Sequence, residues 1–229
     1  SWNAAATGGA RLLMLVWPAS LGRQCHPRCS SQMTFNLGLT GSIGMGKSTT
    51  AELFAAAGCA VWDADAAVHR LYGKGGSAVA AMQDVFPNAI QDGQVSRVVL
   101  KDIISKDPKV LRQIETIVHP LVAQDREEFR RTAVSDILVF DIPLLFETGG
   151  NTEMDAVACV MIDAESQKTR VMDRGTMTVE QFEHIRNKQM PIEEKTSRSD
   201  YVIVTDTVDH AREQVNNILA DIREKTANA

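Results

Sequence analysis

The stretch Gly41-Ser42-Ile43-Gly44-Met45-Gly46-Lys47-Ser48 has the residue types and spacing that hold a phosphate chain. It fits G-x-x-x-x-G-K-[ST], the phosphate-binding loop known as Walker A. Glycines let the backbone wrap tightly, so that several N–H groups converge on phosphate oxygens. A following helix adds the positive end of its dipole. Lys47 is placed to reach β- and γ-phosphates, and the Ser48 hydroxyl to ligate Mg²⁺. An ordinary glycine-rich turn is the plainer reading. The flanks favour the site: Phe35 to Leu39 is an apolar run suited to a buried strand, and Thr49 to Ala57 is rich in helix formers and closes at Gly58.

Other residues offer what a phosphoryl transfer still needs. Asp63-Ala64-Asp65 supplies carboxylates, one of which could orient an acceptor hydroxyl and take its proton. Either aspartate equally suits the N-cap of a helix beginning near Ala66, so capping and acting both stay open. Asp141 ends an apolar run, the position of a Walker B-type aspartate holding Mg²⁺ directly or through water; a turn residue before Pro143 is the competing reading. Between Ala164 and Lys195 the chain turns polar and basic, with Arg170, Arg174, Arg186, Lys188 and Lys195. Arg170 and Arg174 lie four apart on a predicted helix and share a face. A mobile segment carrying such cations over the phosphates would neutralise charge and exclude water. Acidic residues from Asp163 to Glu183 alternate with them, as on a solvated helical face. His119-Pro120 reads as a structural helix start. Cys25 and Cys29 flank His26 without a second ligand pair, so no zinc site is expected there. Cys59 and Cys159 sit in apolar runs, as buried thiols of a reducing compartment do.

The elements that must position these residues alternate in type. Predicted strands cover Phe35 to Leu39, Cys59 to Trp62 (running into Asp63), Ile137 to Phe140, Ala156 to Ile162 and Tyr201 to Val204. Helices lie between them, and His210 to Lys225 is an amphipathic closing helix. Strands separated by helices imply an α/β fold: a parallel sheet with helices on both faces and ligands beyond the carboxyl ends of its strands. That rule gathers the phosphate loop, Asp63 with Asp65, and Asp141 on one edge. Ala64 to Ala133 reads as a helical insertion without sheet strands, its last helix opening at Asp107-Pro108. The 229 residues suffice for one such domain with insertions, and a net charge of −5 argues against a nucleic-acid binder working through a basic face. Residues 1–32 contain Arg11, Arg23 and Arg28, lack acidic residues, and hold an apolar run, Leu12 to Trp17, too short for a membrane span. A signal peptide, a transit peptide and a non-native or disordered extension ahead of Met33 are the alternatives, and the last is preferred.

From Gly38 to Thr49 the sequence resembles the opening of the dephospho-CoA kinase family, and Asp63-Ala64-Asp65 with His69 and His119-Pro120-Leu121-Val122 match it too. The most distinctive match is Asp141-Ile142-Pro143-Leu144-Leu145-Phe146-Glu147, which generic P-loop kinases lack. Arg170, Arg174, Arg186, Gln189-Met190-Pro191, Glu194-Lys195 and Asp200-Tyr201-Val202-Ile203 follow in the family's order. The resemblance covers Met33 to the closing helix. It implies a P-loop NTPase core over 33–229, with a helical substrate-binding insertion at about 64–133 and a lid at about 164–195. It further implies phosphorylation of the ribose 3′-hydroxyl of dephospho-CoA by ATP with Mg²⁺, in the cytoplasm, with no nucleic-acid or membrane partner. Nucleotide binding would fall to Gly41, Gly44, Met45, Gly46, Lys47, Ser48 and Thr49, and metal binding to Ser48 and Asp141. Lys47, Asp65 and Arg174 would be catalytic, with Asp65 as base, and Asp65 and Arg170 would meet the substrate. One departure stands out: Thr205-Asp206-Thr207 replaces the family's Asn-Gly-like turn near the expected adenine site. A nucleoside monophosphate kinase is the alternative enzyme. A GTP-dependent switch would need an Asn-Lys-x-Asp motif, and Asn187-Lys188-Gln189-Met190 lacks the aspartate.

Overall fold

The protein is described by a computed structural model covering residues 34–228; the 1–32 extension, Met33 and the Cys25/Cys29 pair lie outside the described residues. Five short apolar runs become the strands of one sheet: β1 (Phe35–Gly41), β2 (Ala60–Asp63), β5 (Ile137–Asp141), β6 (Ala156–Met161) and β7 (Tyr201–Val204). They stand in the order β2-β5-β1-β6-β7, with β1–β5, β1–β6 and β6–β7 paired in parallel. Parallel neighbours need crossover helices, and these cover both faces of a sheet, so its inner strands read as continuous apolar runs. Helix α1 (Lys47–Ala56) follows β1, and α9 (Val208–Ala227) follows β7.

Side-chain alternation sorts the sheet into two faces. Leu37 and Leu39, Ile137 and Val139, and Ala158 and Val160 share a core with Leu53 and Phe54 of α1 and Val215, Leu219 and Ile222 of α9. The same parity sends Asp141 to the α1 side. Leu138 and Phe140 face the other way, where Phe140 meets Trp62 at 6.2 Å between ring centroids. Helices α6 (Ala164–Asp173), α7 (Val179–Asn187) and α8 (Ile192–Ser197) fill the chain between β6 and β7.

The chain divides into two units, of which residues 34–62 and 133–228 form the sheet unit and 63–132 a helical one. The helical unit contains α2 (Ala64–Tyr72), α3 (Ser77–Val85), α4 (Arg97–Lys106) and α5 (Val110–Thr132). Val68, Leu71, Met82, Leu100, Ile114 and Val118 form its own apolar core. Three details differ from the sequence reading. A hairpin, β3 (Ile90–Gln91) and β4 (Gln94–Val95), pairs antiparallel where no strand was expected. Its turn, Asp92-Gly93, has positive φ at both residues (51° and 76°), the demand of a two-residue hairpin turn. Asp107-Pro108 does not open α5: Asp107 closes α4, and its carboxylate accepts from Lys109 N at 3.0 Å before α5 starts at Val110. His119-Pro120 is not a helix start either and lies inside α5. Pro120 has no N–H for the Thr116 carbonyl. Ile114 and Val118 in the core, with Ile117 and Leu121 against it, carry the helix through. Among the described residues no helix is long and apolar enough to cross a membrane.

Candidate active site

The phosphate loop joins β1 to α1 at the carboxyl edge of the sheet. Gly44 (φ +78°) and Gly46 (φ +85°) take the left-handed conformations that let the chain curl, and Gly46 is the N-cap of α1 with no side-chain cap. Uncapped first-turn N–H groups and the helix dipole make an anion seat. The loop is also fixed from outside. Gln167 of α6 donates Nε2 to the Ile43 carbonyl at 2.6 Å, and the Ile43 N–H donates to Gln189 Oε1 at 3.1 Å. The Thr205 hydroxyl donates to the Met45 carbonyl at 2.8 Å. Close packing explains one glycine further: a Cβ on Gly44 would stand 2.4 Å from Val171 Cγ2 on α6. Met45 is buried, Thr49 half-buried and Ser48 exposed.

Lys47 Nζ pairs with Asp141 Oδ1, the side chain of Asp141 being wholly buried. The register that sets Leu39 opposite Asp141 carries this carboxylate to the start of α1. Ser48 and Asp141 are both hard oxygen donors of the kind Mg²⁺ takes, so the residues present fit the ion. Among the described residues no cluster of three His, Cys, Asp or Glu side chains offers a protein-only metal cage.

The expected cations of 164–195 separate on inspection. Arg170 donates to the Thr205 carbonyl at 2.6 Å and to that of Asp206 at 3.3 Å, so it holds the turn after β7. Arg174 is exposed at the end of α6, and Arg186 is exposed with its guanidinium 5.5 Å from the Phe182 ring centroid. Lys195, grouped with them from sequence, is instead completely buried: it pairs with Glu147 Oε1 at 2.8 Å and donates to the Pro143 carbonyl at 3.0 Å. A lysine so enclosed is no lid cation. Cys159 lies near this pair, and burial pushes its thiol up to about 11. Asp206 is held below the usual carboxylate range, first by its hydrogen bond to His210 and then by the Thr207 N–H. Gln167 and Thr205 escaped the sequence reading as contacts of the loop. For Gln167 the signal was a polar residue one turn from Val171, on the buried stripe of α6.

In the helical unit the two aspartates take different parts. Asp63 Oδ1 accepts from Ala66 N at 2.8 Å and caps α2. Asp65, in the first turn and half-buried, is not the cap, and its Oδ1 has no hydrogen-bond partner among the described residues. Tyr72 OH, Glu115 Oε1 and His119 Nε2 are likewise buried without partners there. Burial raises the Glu115 pKa, lessened by Arg112, and lowers that of His119.

A family model described as dephospho-CoA kinase matches residues 35–210. A dephospho-CoA kinase of Ruegeria pomeroyi is 69% identical over 191 residues, covering 83% of this chain and 97% of the relative. The crystal structure of TT1252 from Thermus thermophilus superposes with a TM-score of 0.73 at 30% identity, covering 82% of this chain and 97% of that one. A dephospho-CoA kinase structure from Campylobacter jejuni gives 0.64 at 22% identity, with 84% and 99% covered, and speaks for the fold.

Proposed function

This chain belongs to the dephospho-CoA kinase family, and from that premise we propose how its residues carry out the family's reaction. The reaction is ATP-dependent phosphorylation of the ribose 3′-hydroxyl of dephospho-CoA, giving CoA and ADP, the last step of coenzyme A biosynthesis. The 69% identity across nearly the whole of a relative carries this reading over a nucleoside monophosphate kinase.

The phosphate loop binds the ATP phosphates through its N–H groups and the uncapped start of α1. Lys47 exchanges Asp141 for the β- and γ-phosphate oxygens, which frees the Asp141 carboxylate. Ser48 and Asp141 would then hold Mg²⁺, which when bound would supply positive charge to offset that of the phosphates. Asp65 orients the 3′-hydroxyl and accepts its proton, a role supported by its freedom from the capping task that Asp63 performs. Arg174, exposed at the end of α6, neutralises charge on the transferring group, and the 164–195 segment excludes water from it. Arg170 acts on the nucleotide side through the 205–206 turn it already holds. The helical unit receives dephospho-CoA, supported by its buried polar atoms that lack partners among the described residues. The cytoplasm, where ATP is supplied and free thiols such as Cys59 and Cys159 persist, is the expected setting.

ADP release measured from ATP against a panel of acceptors tests the assignment. Turnover with dephospho-CoA and none with nucleoside monophosphates is the expected result. Turnover only with nucleoside monophosphates, or a preference for GTP, would remove it.

A further inference from the structure

Lys195 is wholly buried and its partner Glu147 lies at the edge of the enclosure, and both ends of the pair lead back to the phosphate loop. Lys195 Nζ donates to the Pro143 carbonyl at 3.0 Å, and the Thr40 hydroxyl donates to the same oxygen at 3.1 Å. Pro143 is two residues beyond Asp141, at the exit of β5. On the other side, Glu147 Oε1 pairs with Lys195 and accepts from the Met190 N–H at 2.9 Å. Next to Met190 stands Gln189, whose Oε1 receives the Ile43 N–H. Arg198 closes the same junction, its guanidinium 4.8 Å above the Phe146 ring centroid. A bonded path therefore runs from the residue after Ile142, through one ion pair, to a backbone amide of the loop.

Enclosing the Lys195 ammonium is a poor device for stability alone, because desolvation offsets its attraction to Glu147. What it does provide is direction: an ammonium with a carbonyl and a carboxylate to satisfy admits one arrangement of its neighbours. We propose that Lys195 and Glu147 are positioning residues for phosphoryl transfer. Through Pro143 they fix the strand end that carries Asp141, and through Met190 they set Gln189 on the Ile43 amide. The inference rests on the kinase reading for its effect on turnover. Its effect on nucleotide affinity needs no acceptor.

The test uses the full chain with Lys195→Met and Glu147→Gln combined, which removes both charges and leaves Gln an oxygen for the Met190 N–H. Thr40→Val is the milder companion, deleting only the second donor to Pro143. The double variant should melt within a few degrees of the parent. Its kcat should fall about 10- to 100-fold, the loss that a slight misplacement of reacting groups produces. Its KM for ATP should rise about fivefold or more, with the KM for dephospho-CoA within about twofold, an asymmetry that general loosening would not give. Thr40→Val should move the same two parameters in the same direction by a smaller factor. Unchanged kinetics in a folded double variant would overturn the proposal, and so would both KM values rising together with a lowered Tm. If the double variant does not fold, unchanged kinetics in Thr40→Val overturn it alone. A parent chain that binds ATP but does not phosphorylate dephospho-CoA removes the functional reading only. Calorimetric ATP affinity, weakened about fivefold in the double variant or else unchanged, then supports or overturns the positioning role.

Discussion

Lys47 has two tasks that a single substitution would confound: it is the cation aimed at the β- and γ-phosphates, and it neutralises a buried Asp141. Lys47→Ala should therefore abolish transfer and also cost ~3 kcal/mol of stability, since it leaves a buried carboxylate without its ammonium. Lys47→Ala combined with Asp141→Asn separates the two. Thermal melting should recover toward the parent while activity stays absent; recovery of activity within tenfold would refute the loop's role. Asp63 and Asp65 can be separated in the same way. Asp63→Ala removes the cap on Ala66 and should lower stability by ~1 kcal/mol with kcat nearly unchanged. Asp65→Asn should slow turnover by about 10²- to 10⁴-fold, the usual contribution of a general base, with calorimetric ATP affinity intact. A collapse of ATP affinity would make Asp65 structural instead. At this scale the sequence singles out residues by their own chemistry, as for Lys47 and Asp141, which the structure brings into one ion pair. It was silent where the role comes from a partner far along the chain. Nothing local tells that Lys195 is enclosed by Glu147 and Pro143, or that Asp63 and not Asp65 meets the Ala66 amide.

Helix α6 shapes the phosphate loop by packing, apart from the cations it carries. Val171 leaves no room for a Cβ on Gly44, whose φ of +78° already disfavours any other residue. Val is stiff at χ1 and cannot swing aside, so Gly44→Ala should push α6 and the loop apart. We expect the KM for ATP to rise at least about tenfold, with Val171→Ala in the same chain restoring part of it because the obstructing methyl is gone. Failure of the second substitution to restore anything would place the defect in the glycine's backbone alone. The strands were legible because buried parallel strands are short apolar runs with polar punctuation, and all five appeared within about two residues of their observed bounds. The hairpin at Ile90–Val95 was not, since two-residue strands carry too little periodicity to register, although Asp92-Gly93 is a hairpin turn by its chemistry. Pro120 misled because a proline in a helix signals a boundary unless tertiary packing overrides it, as the apolar stripe of α5 does.

Across the whole molecule the two units differ in how their polar groups are met. In the sheet unit the Ile43 carbonyl and amide and the Met45 carbonyl of the loop are paired with Gln167, Gln189 and Thr205 before any nucleotide arrives. The helical unit instead buries Tyr72 OH, Glu115 Oε1 and His119 Nε2 without partners among the described residues. Each such atom costs ~1–3 kcal/mol relative to a paired one. A unit with that burden opens locally more readily than its apolar core would suggest, and gains most from a ligand that supplies the missing bonds. Hydrogen exchange can read this unit by unit. Dephospho-CoA alone, at about 100 times its Kd, should slow exchange across 64–132 by up to ~100-fold, the ~2.7 kcal/mol of a saturating ligand. A non-hydrolysable ATP analogue should slow exchange chiefly at 41–50 and 164–191, and by less, because much of that loop is already held. Protection by dephospho-CoA confined to the sheet unit would mean that the helical unit's buried polar atoms are not there for the acceptor.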